Sequence, residues 1–367
     1  MSRLAVRSAA MRAAVQYAYD EPLVVQDVEL DEPKDGEILV RMAASGVCRS
    51  DWHTVRGVHP HVLPVVLGHE GSAVVERVGA GVRGLVPGDH AVLSWLPYCG
   101  SCRRCVSGRP NLCERMEPFD GGLLGDGTTR MHRGGVEIHH NVPSSFAERA
   151  VVPANTAIAV DSSIPLEQVA LLGCAVMTGV GSVVNTARVR PGQSVAVIGA
   201  GGVGLSAIQG ARIAGASAIV AVDVVDAKLD LARELGATAV VNARTSDPAQ
   251  TARFDVVVEC LGHADTIELA ASLTAPGGTA VLVGMAPPAA RPGVPALDMT
   301  LEERTVAGCW YGSCVPPRDF PLLIGLVRSG ELRLDAMIGR TFALDGINDA
   351  LALFERGEDR RSVIAFD

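Results

Sequence analysis

Residues 194–223 constrain the fold of this chain more than any other stretch. The β-branched run Val195-Ala-Val-Ile198 leads straight into Gly199-Ala-Gly201-Gly202-Val203-Gly204, after which apolar residues recur at helical spacing to Ala214. A G-x-G-x-x-G loop between a strand and a helix has a mechanical reading. The first glycine makes the tight turn, the second lets the backbone approach a pyrophosphate, and the third lets helix pack on strand. The phosphates then meet the unpaired amides of the helix N-terminus. Asp223 ends the next strand, nineteen residues after Gly204. A carboxylate there accepts hydrogen bonds from ribose hydroxyls and repels a 2′-phosphate. Its neighbour Val224 offers no cation, so NAD is expected rather than NADP. The plainer alternative for Asp223 is a solvated strand end.

The surroundings carry the same message. Ala218–Val222, Phe254–Val258 and Thr279–Val283 are short buried-strand runs, and they alternate with helical patterns at Asp226–Leu235 and Ala264–Leu273. That alternation predicts an α/β doubly wound parallel sheet, the Rossmann arrangement. Residues 12–160 differ: pieces such as Ile38–Ala43, Gly71–Val78 and His90–Leu93 alternate apolar and polar positions between Gly and Pro, which predicts a mainly β, barrel-like part. Phe320–Arg328 and Ile347–Arg356 read as helices. At 367 residues the chain suits two domains, and its 40 glycines suit a fold rich in tight turns.

A net charge of −9 argues against a nucleic-acid partner. No apolar run is expected to reach the 18 or more residues of a membrane span. Met1–Ala10 carries Arg3 and Arg7 without an apolar core, so it reads as a disordered extension or a start-site artefact rather than a secretory signal, and the cytoplasm is the expected compartment.

Four of the nine cysteines crowd into Cys99-x2-Cys102-x2-Cys105-x7-Cys113. Four soft ligands so closely spaced suit a closed, tetrahedral structural zinc in a lobe over about 95–115. An iron–sulfur cluster is the rival metal reading. Cys48, His69 and Cys174 are dispersed, and spacing alone cannot group them; each by itself reads equally as a core cysteine or a satisfied histidine.

Gly46-Val-Cys-Arg-Ser-Asp51, Leu67-Gly-His-Glu-Gly71, the four-cysteine lobe, Leu171-Leu-Gly-Cys174 and Gly199-x-Gly-Gly-Val-Gly-Leu205 resemble the zinc-containing medium-chain dehydrogenase/reductases, alcohol dehydrogenase branch. The resemblance runs from Met11 to Asp367. It implies a catalytic zinc held by Cys48, His69 and Cys174 with an open fourth position, Glu70 as a nearby carboxylate able to approach the metal, and Asp51 as the group orienting His69. Two zinc ions per chain and NAD follow. Ser50 and His53 match a proton relay, although His53 alone would read as an exposed loop histidine. Arg49 and Arg361 match contacts to the pyrophosphate, and Lys228 is counted with the cofactor contacts.

The resemblance also implies a GroES-like catalytic domain in two parts, 1–176 and 313–367, with the NAD-binding Rossmann domain, 177–312, inserted between them and the active site in the cleft. Asp126–Arg130 and Ile138–His140 resemble a lobe insertion of dimeric members, so a homodimer is expected, with a homotetramer as the alternative.

Trp95 and Trp52 are expected to line the substrate pocket, with Phe146, Met177 and Trp310 as further wall or core residues. Large apolar groups favour a small-molecule primary alcohol or aldehyde with an apolar tail. Gly173–Gly181, Val241–Arg244 and Cys309–Ser313 are similar to thiol-dependent formaldehyde dehydrogenases, mycothiol- or glutathione-type, which act on a hydroxymethyl thioadduct. This is the second reading, although no cationic anchor for a polar thiol stands out. A zinc-free quinone reductase would lack Cys48, Cys174 and the lobe. A non-enzymatic zinc- and NAD-binding protein would not need Ser50 and His53.

Overall fold

The computed structural model of the chain describes residues 9–357 and 360–367. The expectation for the N-terminal decapeptide thus lies, but for its last two residues, outside the described residues. Two compact units form: one from residues up to Cys174 with Pro316–Ile324 and Ile338–Asp367, the other from Ala175–Val315 with Gly325–Met337. The expected inserted segment, 177–312, lacks this last piece.

In the first unit the strands Ala9–Gln16, Val24–Leu30, Met131–Arg133, Val136–His140 and Val65–Val66 close into a barrel. Their contacts are antiparallel except where Val65–Val66 runs parallel to Val136–His140. Met11, Val28, Leu30, Leu124, Met131 and Ile138 fill its interior. A second sheet is centred on Glu37–Gly46, which pairs along one edge with Glu70–Val78. Its other edge is shared by Arg149–Pro153 and Val363–Ala365. Strand Glu37–Gly46 is buried along almost its whole length, so the alternation its sequence suggested is weak.

The second unit holds six parallel strands in the order Ala239–Asn242, Ala218–Asp223, Ser194–Ile198, Phe254–Glu259, Thr274–Leu282, Thr305–Gly308. This is the 3-2-1-4-5-6 order of a dinucleotide fold. The two strands missing from the sequence reading, Ala239–Asn242 and Thr305–Gly308, are the two edges. Edge strands are short and only half-buried, so they lack the apolar run that marks central ones.

One expectation needs correcting. Leu166–Ala187 is helical, and by length and composition it could cross a membrane, but 72% of its most apolar stretch is buried inside the protein, as in a core helix. Its course contains π-helical turns at Leu172–Val176 and Ser182–Ala187.

His140 supplies a test of the barrel packing. It is buried; Arg130 N donates to its Nε2 at 3.1 Å, and Ser144 Oγ lies 3.3 Å from its Nδ1. Burial, reinforced by the Arg130 charge, pushes its pKa down to about 3. The folded value lies below the unfolded one, so the unfolded chain takes up the proton first. Stability is therefore lost as pH falls from about 6.5 toward 3. Urea unfolding of wild type and His140→Gln at pH 7 and 4 should show wild type losing up to about 3 kcal/mol more. Equal losses would mean that this histidine is not held neutral.

Candidate active site and metal centres

Cys48 caps the helix Arg49–Val55 and Asp51 closes the cap, its Oδ2 accepting from Cys48 N at 3.0 Å. The other oxygen, Oδ1, accepts from Gly68 N at 3.1 Å and faces His69 Nδ1 at 2.9 Å. One fully buried carboxylate thus orients two segments at once. With the proton on Nδ1, His69 presents the lone pair of Nε2, which is buried and has no hydrogen bond of acceptable geometry. Cys174 arrives from the π-helical turn Leu172–Val176. The ligand atoms of Cys48, His69, Glu70 and Cys174 lie within 4.8 Å of one another.

The electrostatics suit a cation. Burial opposes protonation of His69, yet Asp51 and Cys48 outweigh it and raise its pKa to about 10. The Cys48 thiol is lowered well below its usual range, chiefly by Cys174 and then, against burial, by His69 and Arg361. Two thiols, an imidazole whose Nε2 becomes a donor once a metal cation displaces its proton, and a nearby carboxylate form the borderline-soft donor set that zinc prefers, with three protein ligands and an adaptable fourth. Zinc fits these residues.

Glycines make the convergence possible. A Cβ on Gly68, at φ +91°, would sit 2.6 Å from Phe146 N; one on Gly173 would sit 2.7 Å from Leu93 O; one on Gly46 would sit 2.1 Å from Glu70 Oε2. The sequence reading quoted these glycines within its motifs but gave them no steric role. The signal was nonetheless present: each dispersed ligand follows a glycine by one or two residues.

Arg361 is buried, and its Nε and Nη2 both bond the Glu70 carboxylate. Two of its guanidinium nitrogens are thus committed to that carboxylate. Ser50 Oγ lies 4.0 Å from Cys48 Sγ, and His53 sits one turn further along the same helix. Arg49 is exposed, with its guanidinium 5.7 Å from the Phe354 ring centroid. Trp52 packs on the core around Val47 and Leu67, with Arg56 over its ring. Trp95 is half-buried. Phe146 and Met177 are fully enclosed, so both are core residues rather than pocket walls, whereas Trp310 is exposed.

In the lobe, Cys99 and Cys105 sulfurs lie 3.9 Å apart and Cys102 and Cys113 sulfurs 4.0 Å apart. A tetrahedral zinc with sulfur at about 2.3 Å would set its ligands about 3.8 Å apart. A multi-iron cluster placed between the thiolates would hold them further apart. Backbone amides of Ser101 and Cys102 point at Cys99 Sγ, and Glu114 N points at Cys102 Sγ. The Ser101 amide leads in holding the Cys99 thiol down to about 6, while burial pushes Cys105 up to about 12.

In the nucleotide loop Gly199 has φ +94°, and a Cβ on Gly204 would lie 1.7 Å from Gly199 O. A Cβ on Gly201 would meet nothing within 4 Å, leaving open space of the kind a pyrophosphate needs. Gly202 and Val203 open the helix. Asp223 accepts from Ala200 N at 2.7 Å, Val224 N at 2.7 Å and Val225 N at 3.0 Å, tying the glycine loop to its own strand end. Lys228 lies half-buried on the following helix, Asp226–Glu234.

An open thiolate–imidazole site and a dinucleotide-type loop in one chain define a metal-dependent dehydrogenase. Family models agree: "Alcohol dehydrogenase GroES-like domain" matches residues 34–162 and "Zinc-binding dehydrogenase" matches residues 202–329. The chain is 37% identical over 362 residues to putative alcohol dehydrogenase D of Mycobacterium tuberculosis, covering 96% of this chain and 98% of that one. It is 37% identical over 367 residues to S-(hydroxymethyl)glutathione dehydrogenase of Escherichia coli, covering 97% and 99%. The crystal structure of benzyl alcohol dehydrogenase from Acinetobacter calcoaceticus matches with TM-score 0.93 and 32% identity, covering 98% and 100%. This chain belongs to the zinc-containing alcohol dehydrogenases of the medium-chain dehydrogenase/reductase superfamily, oxidoreductases acting on alcohols.

Proposed function

We propose that the protein oxidises a primary alcohol with an apolar tail to the aldehyde, or runs the reverse reaction, using NAD and two zinc ions per chain. The observation that carries this reading is the convergence of ligand atoms of Cys48, His69 and Cys174 within 4.8 Å of one another. Zinc bound there supplies the Lewis acidity that makes a hydroxyl far more acidic, and NAD supplies the hydride acceptor. In this reading the first unit is catalytic and the second binds NAD.

The chain's own groups do the rest. Asp51 holds His69 and the Cys48 segment in register. Glu70, gripped by Arg361, stays next to the ligands as an alternative fourth donor. Ser50 takes the hydroxyl proton and His53 receives it one helical turn on. Gly199, Gly201, Gly202, Val203 and Gly204 cradle the pyrophosphate; Arg49 and Arg361 are carried as phosphate contacts on the family resemblance alone. Asp223 and Lys228 hold the adenosine ribose, and Asp223 beside exposed Val224 disfavours a 2′-phosphate. Trp95, together with Trp52, bounds the substrate.

A thioadduct substrate is the second reading, favoured by the similarity to the E. coli enzyme. NADH formation across primary, secondary and aromatic alcohols, with and without small thiols and formaldehyde, separates the two. Turnover on apolar primary alcohols without thiol supports the first reading. Turnover only with thiol and formaldehyde overturns it in favour of the second.

We further place the protein in the cytoplasm as a homodimer. No disulfide joins its described cysteines. Edge strand Thr305–Gly308 has one open side, and Leu297 and Leu301, four apart on helix Ala296–Leu301, are both about 70% exposed. An open strand edge with apolar neighbours is a pairing surface. Light scattering should give twice the chain mass, and Leu297→Glu with Leu301→Glu should shift it toward one chain. A tetramer mass, or a monomeric wild type, would contradict the assignment.

A further inference from the structure

We propose that His59 extends the proton path beyond His53, as the group that hands the proton to solvent. The inference rests on the relay reading of Ser50 and His53. The His53 and His59 rings lie 5.2 Å apart, centroid to centroid, at 57° to one another, and Trp52 covers His53 at 5.5 Å. That separation admits one water between ring nitrogens. His59 is half-buried, and its Nε2 is enclosed without a hydrogen-bond partner. An enclosed polar nitrogen left unmatched is costly, so it calls for a water or a mobile proton.

The backbone builds this pair. The carbonyl of His53 accepts from both Val58 N, at 2.8 Å, and His59 N, at 3.4 Å, which folds the loop back over the helix end. Gly57 makes that turn at φ +66°, where a Cβ would press on the Tyr19 ring at 3.2 Å. Tyr19 donates to His61 O at 2.7 Å and pins the loop's far side. Arg56, at the helix end, is bound by Asp20 from the segment after the first strand and by Glu355 from the last helix. His61, with Asp120 close to it, has its own pKa lowered, first by burial.

The step balances without a co-reactant. Imidazolium His53 gives a ring proton through one water to a nitrogen of His59, and His59 releases a proton from its other nitrogen to bulk water. An imidazole can accept a proton on one ring nitrogen while releasing one from the other, so two neighbouring rings can pass a proton in series.

The test is the single-turnover rate of NADH formation, at pH 6 to 9, in zinc-replete wild type, His53→Gln, His59→Gln and the double variant. Zinc content and melting temperature serve as controls for folding. His59→Gln should slow the rate about tenfold below pH 7 and recover with added imidazole. The double variant should be no slower than His53→Gln alone, because both groups act in series. An unchanged rate in His59→Gln, losses that multiply, or no rescue by imidazole would overturn the extension. An unchanged rate in His53→Gln would instead remove the relay itself.

Discussion

Cys174→Ser will fold, keep one zinc per chain, and lose at least about 10³ in kcat/KM. A serine hydroxyl is a hard, weakly acidic donor that reaches less far than a thiolate, so the Cys48–His69–Cys174 set drops to two strong ligands. Lewis-acid assistance is worth several kcal/mol of transition-state stabilisation, and each 1.36 kcal/mol is about tenfold in rate. The lobe should keep its ion, because Cys99, Cys102, Cys105 and Cys113 are a separate set with their own backbone N–H contacts to sulfur. Metal analysis with circular dichroism and NADH kinetics checks all three statements. Full turnover with undiminished zinc would show that Cys174 is no ligand.

The second large effect lies in the glycine loop, where two substitutions of the same size should differ. Gly204→Ala drives a Cβ to 1.7 Å from the Gly199 carbonyl, a backbone clash that only a shift of helix or loop relieves. It should lower the melting temperature and weaken NAD binding by about 100-fold or more. Gly201 has φ −83°, which alanine adopts readily, and no protein atom within 4 Å of its Cβ position. Gly201→Ala should therefore leave stability nearly unchanged while weakening NAD about 10- to 100-fold, since the methyl enters the space left for pyrophosphate. Thermal melts and NADH fluorescence titration measure both. A stable Gly201→Ala with wild-type affinity would mean that the pyrophosphate lies elsewhere.

How much of this was legible in advance depended on whether the information was local. The glycine loop and its strand are contiguous, so steric reasoning alone assigned roles to Gly199, Gly201 and Gly204, and the backbone has the turn at Gly199 and the close approach at Gly204. The four lobe cysteines lie within fifteen residues, so spacing alone suggested a tetrahedral set. Cys48, His69 and Cys174 were different. They converge because the first unit brings a helix start, a strand start and a π-helical turn together, and no sequence period encodes that. Family resemblance supplied what spacing could not.

Arg361 shows the same limit from the other side. Its pairing with Glu70 spans 291 positions, and the sequence offered only a phosphate contact. Phe146 and Met177 could equally have been wall or core, and burial decides for core. The long apolar helix was overlooked because glycine, serine and threonine interrupt Leu166–Ala187, although its interior position tolerates them.

The central claim is that Cys48, His69 and Cys174 hold the zinc on which alcohol oxidation depends. An anomalous difference map at the zinc edge, from crystals of a preparation that reduces NAD with an alcohol, tests it most directly. Two peaks per chain are predicted. One should lie inside the four-cysteine lobe, and the other at about 2.3 Å from the sulfurs of Cys48 and Cys174 and about 2.0 Å from His69 Nε2. A turnover-competent crystal with a peak in the lobe alone, or a second peak away from these three residues, would contradict it.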